Sequence, residues 1–522
     1  MEIQMDNQRF RGEQVLQLMN TLRTSACPAD VAIAGEQLLS TYRSLLSHSE
    51  LYGAYVNTSD AFAATGDHRR SVQFANMSVS HWRTVASQDK DGLYVAFVAF
   101  SVSHLASKLR FAEDYEQAFI ESHQALELYS SLTPRQPILL RQWMNMLDLS
   151  MSIAREKEEE SKSLERSREI VCYSRALVKQ FPSQQPFLIR RILDHALMLE
   201  DFDHLADAAA AIQEAIDWSD EHPAQDSDSA ELQTDCLLYY ARFLRFQGHP
   251  DKASSVYEKA VTIGQPFVDA YPVAQNILWA KALNLFTLYD MGHFSLALPE
   301  INACLKFASE HDLKKDAAYT QYLDITSRIY RCCAKVDTAL PTIRLSLTLQ
   351  RERGDTPFSW ILSDLLADTV EDDEALTVAH DAIREMEKWK NSSKTTKKEL
   401  YVQAQFSLAI RLFADTAKLP QAQELLVQVQ SFYRQYSKAI NLWFVKLAIT
   451  LWAMGHLECA SGRHEEGMAA RTELNELRKR LRLVFPSLAD LVEVGLNREK
   501  NFPAWKNILK KYNLTCGHQD ED

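Results

Sequence analysis

The sequence predicts an all-α chain built from stacked helical hairpins, and three observations carry that prediction. Glycine is nearly missing, with 14 in 522 residues and none between Gly92 and Gly248, against an average usage of about 7 %. Small side chains recur at offsets of 12 and then 7 along the chain. The glycines at Gly66, Gly248 and Gly292 each fall between two amphipathic stretches. Sheets, phosphate loops and tight β-hairpins need glycine where φ is positive. A long stretch without it therefore fits helices joined by short turns and argues against a dinucleotide-binding fold, a P-loop domain or a barrel.

Composition sets the remaining bounds. Apolar residues make up 46 % and charged residues 24 %, the balance of a soluble globular chain. The net charge of −13 argues against binding nucleic acid through the overall field. The eight cysteines form no C-x-x-C pair, and scattered thiols read as small core residues in a reducing compartment. The first ten residues lack the basic start and apolar core of a signal peptide. The most apolar run, Leu442 to Met454, is interrupted by Lys446 and spans no membrane. An intracellular location, in cytoplasm or nucleus, is expected.

The clearest unit is Leu237 to Ala260, LLYYARFLRFQGHPDKASSVYEKA. An apolar helix runs to Phe246, Gly248 permits the turn, and Asp251 is placed to cap a second amphipathic helix. Small residues stand at Ala241, Ala253 and Ala260. The same offsets recur at Ala106, Ala118 and Ala125, and at Ala196, Ala208 and Ala215. They return at Ser327, Ala339 and Ser346, at Ser363, Ala375 and Ala382, and more loosely at Leu285, Ala297 and Cys304. A C-terminal copy holds Gly455, Gly462 and Gly467. Ala297-Leu298-Pro299 and Ala339-Leu340-Pro341 match at a distance of 42 residues. Proline near a helix start is tolerated because the first N–H groups have no intrahelical partner.

This pattern resembles the tetratricopeptide repeat (TPR), whose helix–turn–helix carries small residues at its eighth, twentieth and twenty-seventh positions. The helices of a pair cross there, and nothing larger than a methyl fits. First small positions at 241, 285, 327 and 363 give units longer than the standard length of about 34 residues. The resemblance covers residues 50 to 475 and implies a right-handed α-solenoid, a superhelix of about nine or ten helical hairpins. Residues 1–49 are expected to form N-terminal capping helices, 476–512 C-terminal capping helices and 513–522 a disordered acidic tail. Charged or polar segments at 155–160, 219–231, 368–374 and 390–398 are expected as insertions, loops or linkers between units.

The sequence carries no G-x-x-x-x-G-K-[ST], G-x-G-x-x-G, H-E-x-x-H or G-x-S-x-G motif, and no enzyme or cofactor is expected. His456, Cys459 and His464 lack a fourth metal ligand and read as packing or surface residues. The adjacent pair Cys332-Cys333 reads as core. The stretch 471–511, with ten Lys/Arg against five Asp/Glu, reads as a solvated basic face or as a contact for an acidic partner or phosphate. Trp443 and Trp452 are candidates for a dimer face.

The TPR resemblance implies that the first helix of each hairpin lines a concave groove. Transferred residue by residue, that rule places Arg242, Arg245, Trp279, Phe286, Tyr289, Arg328, Arg331, Trp360 and Arg411 on the inner face. Arg forks bind carboxylates with paired hydrogen bonds, and aromatic residues with Arg are the types enriched at binding hot spots. The same arginines could cover apolar surface with their stems, and the aromatics could be contacts between hairpins. The chaperone-tail clamp, Lys and Asn on neighbouring first helices, is absent. The expected function is a non-catalytic protein–protein interaction scaffold or adaptor, a subunit of a larger complex. It would bind an extended or helical partner segment carrying acidic and apolar residues. The alternative is a TPR regulator that senses a peptide or small molecule.

Overall fold

A computed structural model describes residues 28–500 apart from 90–93, 134–136, 157–159, 222, 334, 354–371, 393–394, 414 and 439, together with Gln14, Gln17 and Trp505. Among the described residues there is no β-strand. The chain divides into two compact units, 1–195 and 196–522.

The first unit begins with α1 (Pro28–Thr41) and continues through α2 (His48–Ala64), α3 (His68–Gln88), α4 (Val95–Phe111), α5 (Tyr115–Leu132), α6 (Leu140–Glu156) and α7 (Glu160–Gln180). The unit boundary falls inside α8 (Gln185–Asp201). The second unit contains α9 (Leu205–Glu221), α10 (Ser227–Phe246), α11 (Pro250–Gly264), α12 (Tyr271–Asp290), α13 (Phe294–Glu310), α14 (Ala317–Cys332) and α15 (Val336–Glu352). It ends with α16 (Asp372–Met386), α17 (Thr395–Phe413), α18 (Leu419–Tyr436), α19 (Trp443–Ala460), α20 (His464–Val484) and α21 (Pro486–Lys500). Neighbouring helices pair as antiparallel hairpins, and in the second unit α12 also packs on α10 and α14.

The small residues sit where the helices of a pair cross. Ala106, Ala118 and Ala125 are fully buried, as are Ala196, Ala208 and Ala215, and Ala241 and Ala253. In each pair the first small residue lies five positions before the end of the first helix, and the second lies three after the start of the next. The α2–α3 pair follows the same register with Ser59, Ser71 and Ser78, all buried. Serine fits because Ser59 Oγ donates to the Ser71 carbonyl at 2.8 Å, which satisfies a buried hydroxyl. In the last pair the crossing residues are Gly455 and Gly467. A Cβ on Gly467 would stand 2.7 Å from Cys459 Sγ and 3.0 Å from the Gly455 carbonyl.

The hairpin turns share one device. The residue two past the end of the first helix is left-handed: Gly66, Gly248, Gly292 and Gly462, and also Glu113 and Asp203. The next N–H then reaches back to a carbonyl inside the first helix, as from His249 to Leu244 at 2.8 Å or Asp114 to Leu109 at 3.0 Å. This closes a Schellman cap. Gly462 is thus a turn residue, not a crossing residue.

Several sequence expectations are corrected. The second helix of the clearest unit starts at Pro250 with His249 as N-cap, so Asp251 supports the first turn through the helix dipole and does not cap it. Pro299 and Pro341 are each the sixth residue of their helices, beyond the first turn, so each helix forgoes one backbone bond. The segment 219–231 is mostly helical, since α9 reaches Glu221 and α10 begins at Ser227. The basic half of 390–398 lies in α17. Trp443 and Trp452 are 5 % and 7 % exposed and form no open face. α19 is apolar on all sides because α18, α20 and α21 surround it. No helix among the described residues is long and apolar enough to cross a membrane.

Candidate functional site

Within the second unit, segments far apart in sequence meet. The C-terminal ends of α10 and α12 leave backbone carbonyls without helical donors. Leu442 N–H donates to the Phe246 carbonyl at 3.0 Å and Asn441 Nδ2 to Gln247 at 3.2 Å. Arg498 Nη1 donates to the Tyr289 carbonyl at 3.4 Å. The turn glycines provide the room: Phe485 and Val494 side chains pack where a Cβ on Gly248 or Gly292 would stand, 3.0 Å away in each case. These contacts join α10 and α12 to α19 and α21, and a cavity of about 560 Å³ lies between the two sets of helices.

One wall comes from α8, α10, α12 and α14, and the other from α17, α18, α19 and α21. Of the inner-face residues expected from sequence, Arg242, Arg245, Trp279, Phe286, Tyr289 and Arg328 line this cavity. Arg331 and Arg411 sit in the last turns of α14 and α17 and are not part of its lining. Trp360 lies outside the described residues. Trp279 and Phe286 are half-buried against the core centred on α12. The Tyr289 ring is covered by the Arg498 guanidinium at 4.2 Å, a cation–π contact.

The arginines are held by carboxylates of their own chain. Arg242 pairs with Glu200 of α8. Arg245 Nε meets Asp290 Oδ2 at 2.7 Å, with its guanidinium 5.3 Å from the Phe286 ring. Arg328 Nε meets Asp324 Oδ1 at 3.4 Å. The far wall repeats the arrangement with residues that the inner-face rule missed. Lys446 Nζ meets Glu399 Oε1 at 2.9 Å, and the same oxygen accepts from Tyr433 OH at 3.2 Å and from Gln403. Burial pushes the Lys446 ammonium below its ordinary pKa, with Glu399 pulling the other way. Burial, then Glu399, pushes the Tyr433 phenol well up.

Three of the four pairs are buried asymmetrically, while Arg245 and Asp290 are equally exposed at 15 %. Side-chain exposure is 31 % for Arg242 against 5 % for Glu200, 22 % for Arg328 against 5 % for Asp324, and 35 % for Lys446 against 9 % for Glu399. In those three pairs the cation is the more exposed partner, although Glu200, Asp324 and Glu399 also reach the lining. The wall therefore carries both signs, with Arg242, Arg328 and Lys446 more open to the cavity than the acids that hold them. The interrupting Lys446 in the most apolar run was the one sequence signal for the far wall; nothing local marks Glu399 or Arg498.

The other candidates resolve differently. His456 packs on the Trp452 ring at 4.9 Å, Cys459 is buried against Gly467, and His464 is exposed. No group of three or more His, Cys, Asp or Glu among the described residues is placed to hold a metal. Cys332 and Cys333 are half-buried thiols at the edge of the core around α12. In the basic stretch, Arg478 forms a two-pronged pair with Glu493 at 2.6 and 2.7 Å, while Lys479, Arg480 and Arg482 are exposed.

No protein-family model matches the chain, and no curated protein matches it. Among solved structures it is similar to the APC/C hetero-tetramer Cut9–Hcn1, at 13 % identity over 96 % of each chain with a TM-score of 0.28. It is similar to the Rap conjugation gene regulator of plasmid pLS20 in complex with the Phr* peptide, at 13 % identity over 83 % of this chain and 98 % of that one, TM-score 0.37. A Rap protein complexed with competence and sporulation factor aligns at 11 % identity over 90 % and 99 %, TM-score 0.32. At identities and scores this low the likeness carries no argument about what this chain binds.

Proposed function

We propose that this chain is a non-catalytic interaction scaffold, a subunit or adaptor within an intracellular complex, and that its second unit holds a partner segment in the cavity between α10–α14 and α17–α21. The observation behind this reading is the convergence of Trp279 and Phe286 with Arg242, Arg245, Arg328 and Lys446 on one concave surface. Aromatic anchors give apolar contact area, and the cations select acidic groups. The fitting occupant is a segment with acidic and apolar residues. Partner capture from the native cell, followed by affinity measurement, tests the reading. Trp279→Ala should weaken the captured partner by about ten-fold or more, about 1.4 kcal/mol. Leu305→Ala, on an exposed part of α13, should leave it unchanged. Equal affinities for wild type and Trp279→Ala would exclude the cavity as the binding site.

A second reading, a regulator that senses a peptide or small molecule, is favoured by the size of the site. A volume of about 560 Å³ falls in the range of roughly 300–1,000 Å³ of pockets for small ligands. A rise in melting temperature with a short peptide, absent in Trp279→Ala, would favour it over a purely architectural role.

A further inference from the structure

We propose that the cavity contains an anion subsite between Arg328 of α14 and Lys446 of α19, which takes the carboxylate of an occupant whose apolar part lies on Trp279 and Phe286. The inference rests on the cavity reading above and adds which residues recognise the charge.

Two like charges line the cavity from different helices, Arg328 on α14 and Lys446 on α19. Arg328 lies within Coulombic reach of the Lys446 ammonium. Each side chain is fixed from behind by a buried carboxylate, Asp324 or Glu399. Glu399 is itself tied to Tyr433 and Gln403, so the Lys446 ammonium is aimed before any occupant arrives. Preorganised cations lose little freedom on binding. Water in a narrow cavity screens their repulsion poorly, and an oxyanion between them relieves it while leaving both existing pairs intact. The nearest carboxylates compete little, because Asp324 and Glu399 point at their own cations and are 5 % and 9 % exposed. Asp290, paired with Arg245 and 15 % exposed, acts on Lys446 from within the same cavity, and Glu200 and Asp201 also line it, so the anion must seat clear of these three acids. Trp279 and Phe286 lie on α12, the helix packed against α14, so an apolar group attached to the anion has a surface to lie on.

The test uses 4-phenylbutyrate and its neutral isostere 4-phenylbutyramide, titrated to millimolar concentration into the full chain while tryptophan fluorescence is read, since Trp279 and Trp443 both line the cavity. The acid should bind with a dissociation constant at least about ten-fold below that of the amide at low salt, and the ratio should shrink as salt is added. In Lys446→Met and in Arg328→Met, each verified as helical by circular dichroism, the ratio should fall below about three-fold. The acid–amide comparison in the wild-type protein needs no variant to fold. Equal quenching by both compounds overturns the subsite and leaves the cavity reading standing. Quenching by neither also overturns it, and the cavity reading is then decided separately by the Trp279→Ala partner measurement. A preference for the acid that survives both substitutions places the anion elsewhere and overturns the assignment.

Discussion

Glu399 shows how much one side chain carries in this protein. Its Oε1 accepts from Lys446, Tyr433 and Gln403 at once, and it is nearly buried. Glu399→Ala would strand an ammonium with only partial access to water. A loss of about 2 kcal/mol is expected, read as a lower urea midpoint, with a smaller loss for Glu399→Gln, which keeps an acceptor. His104 in the first unit predicts a pH effect. Burial pushes its pKa down to about 4; Asp60 at 3.7 Å opposes the shift and Lys108 adds to it. The unfolded imidazole titrates near the ordinary value of about 6.5, so on acidification the unfolded chain takes up this proton first. The folded state is unaffected above that pH and loses stability progressively as pH falls from about 6.5 to 4, by at most roughly 3 kcal/mol. His104→Gln should flatten the urea midpoint over that interval relative to wild type. An unchanged slope would show that other groups set the acid sensitivity.

At the scale of the element, the hairpin is a fixed geometry that tolerates several side chains at one place and few at another. Most crossing positions carry Ala, Ser, Gly or Cys because the limit is volume, with Leu285 of α12 the exception. Ala253 is fully buried at such a crossing, and Ala253→Leu should cost at least about 1–3 kcal/mol through overpacking. The turn position accepts any residue that endures a left-handed backbone. Glu113 does so at φ 62° while exposed to solvent, whereas Gly66 and Gly248 do so without strain. Glu113→Gly should therefore stabilise the α4–α5 hairpin by up to about 1 kcal/mol, the relief of the Cβ clash less the added freedom of the unfolded chain. Thermal denaturation measures it. In the α2–α3 copy serine does the work of alanine, and its hydroxyl finds an acceptor only once the helices are paired, as Ser59 does on the Ser71 carbonyl.

At the scale of the second unit, closure of α19–α21 onto the turns of α10 and α12 creates the cavity, and the amide of Leu442 reports on it directly. Its bond to Phe246 joins segments far apart in the chain. That N–H should exchange slowly with solvent if the contact persists. Val494→Asp puts a charge against Gly292 and should speed exchange of the Leu442 amide more than that of amides inside α12. Equal exchange rates before and after the substitution would show that the closure does not depend on this contact.

The amino-acid sequence alone determined the class of fold and the hairpin unit. Glycine scarcity, crossing-residue spacing and helical periodicity are local properties, and they act through contacts between helices adjacent in the chain. Arg242, Arg245, Trp279, Phe286, Tyr289 and Arg328 reach the cavity lining from positions that the TPR resemblance puts on an inner face, while Arg331 and Arg411, placed by the same rule, do not. Only the tertiary structure decided what opposes them. Glu399, Tyr433, Lys446 and Arg498 come to the cavity because later helices return to earlier turns, and that return depends on Phe485 and Val494 fitting beside Gly248 and Gly292. Which partner in an ion pair faces water is likewise a matter of packing depth. A carboxylate and a cation carry opposite charges of equal size in the sequence, and only burial decides which of the two is the more exposed.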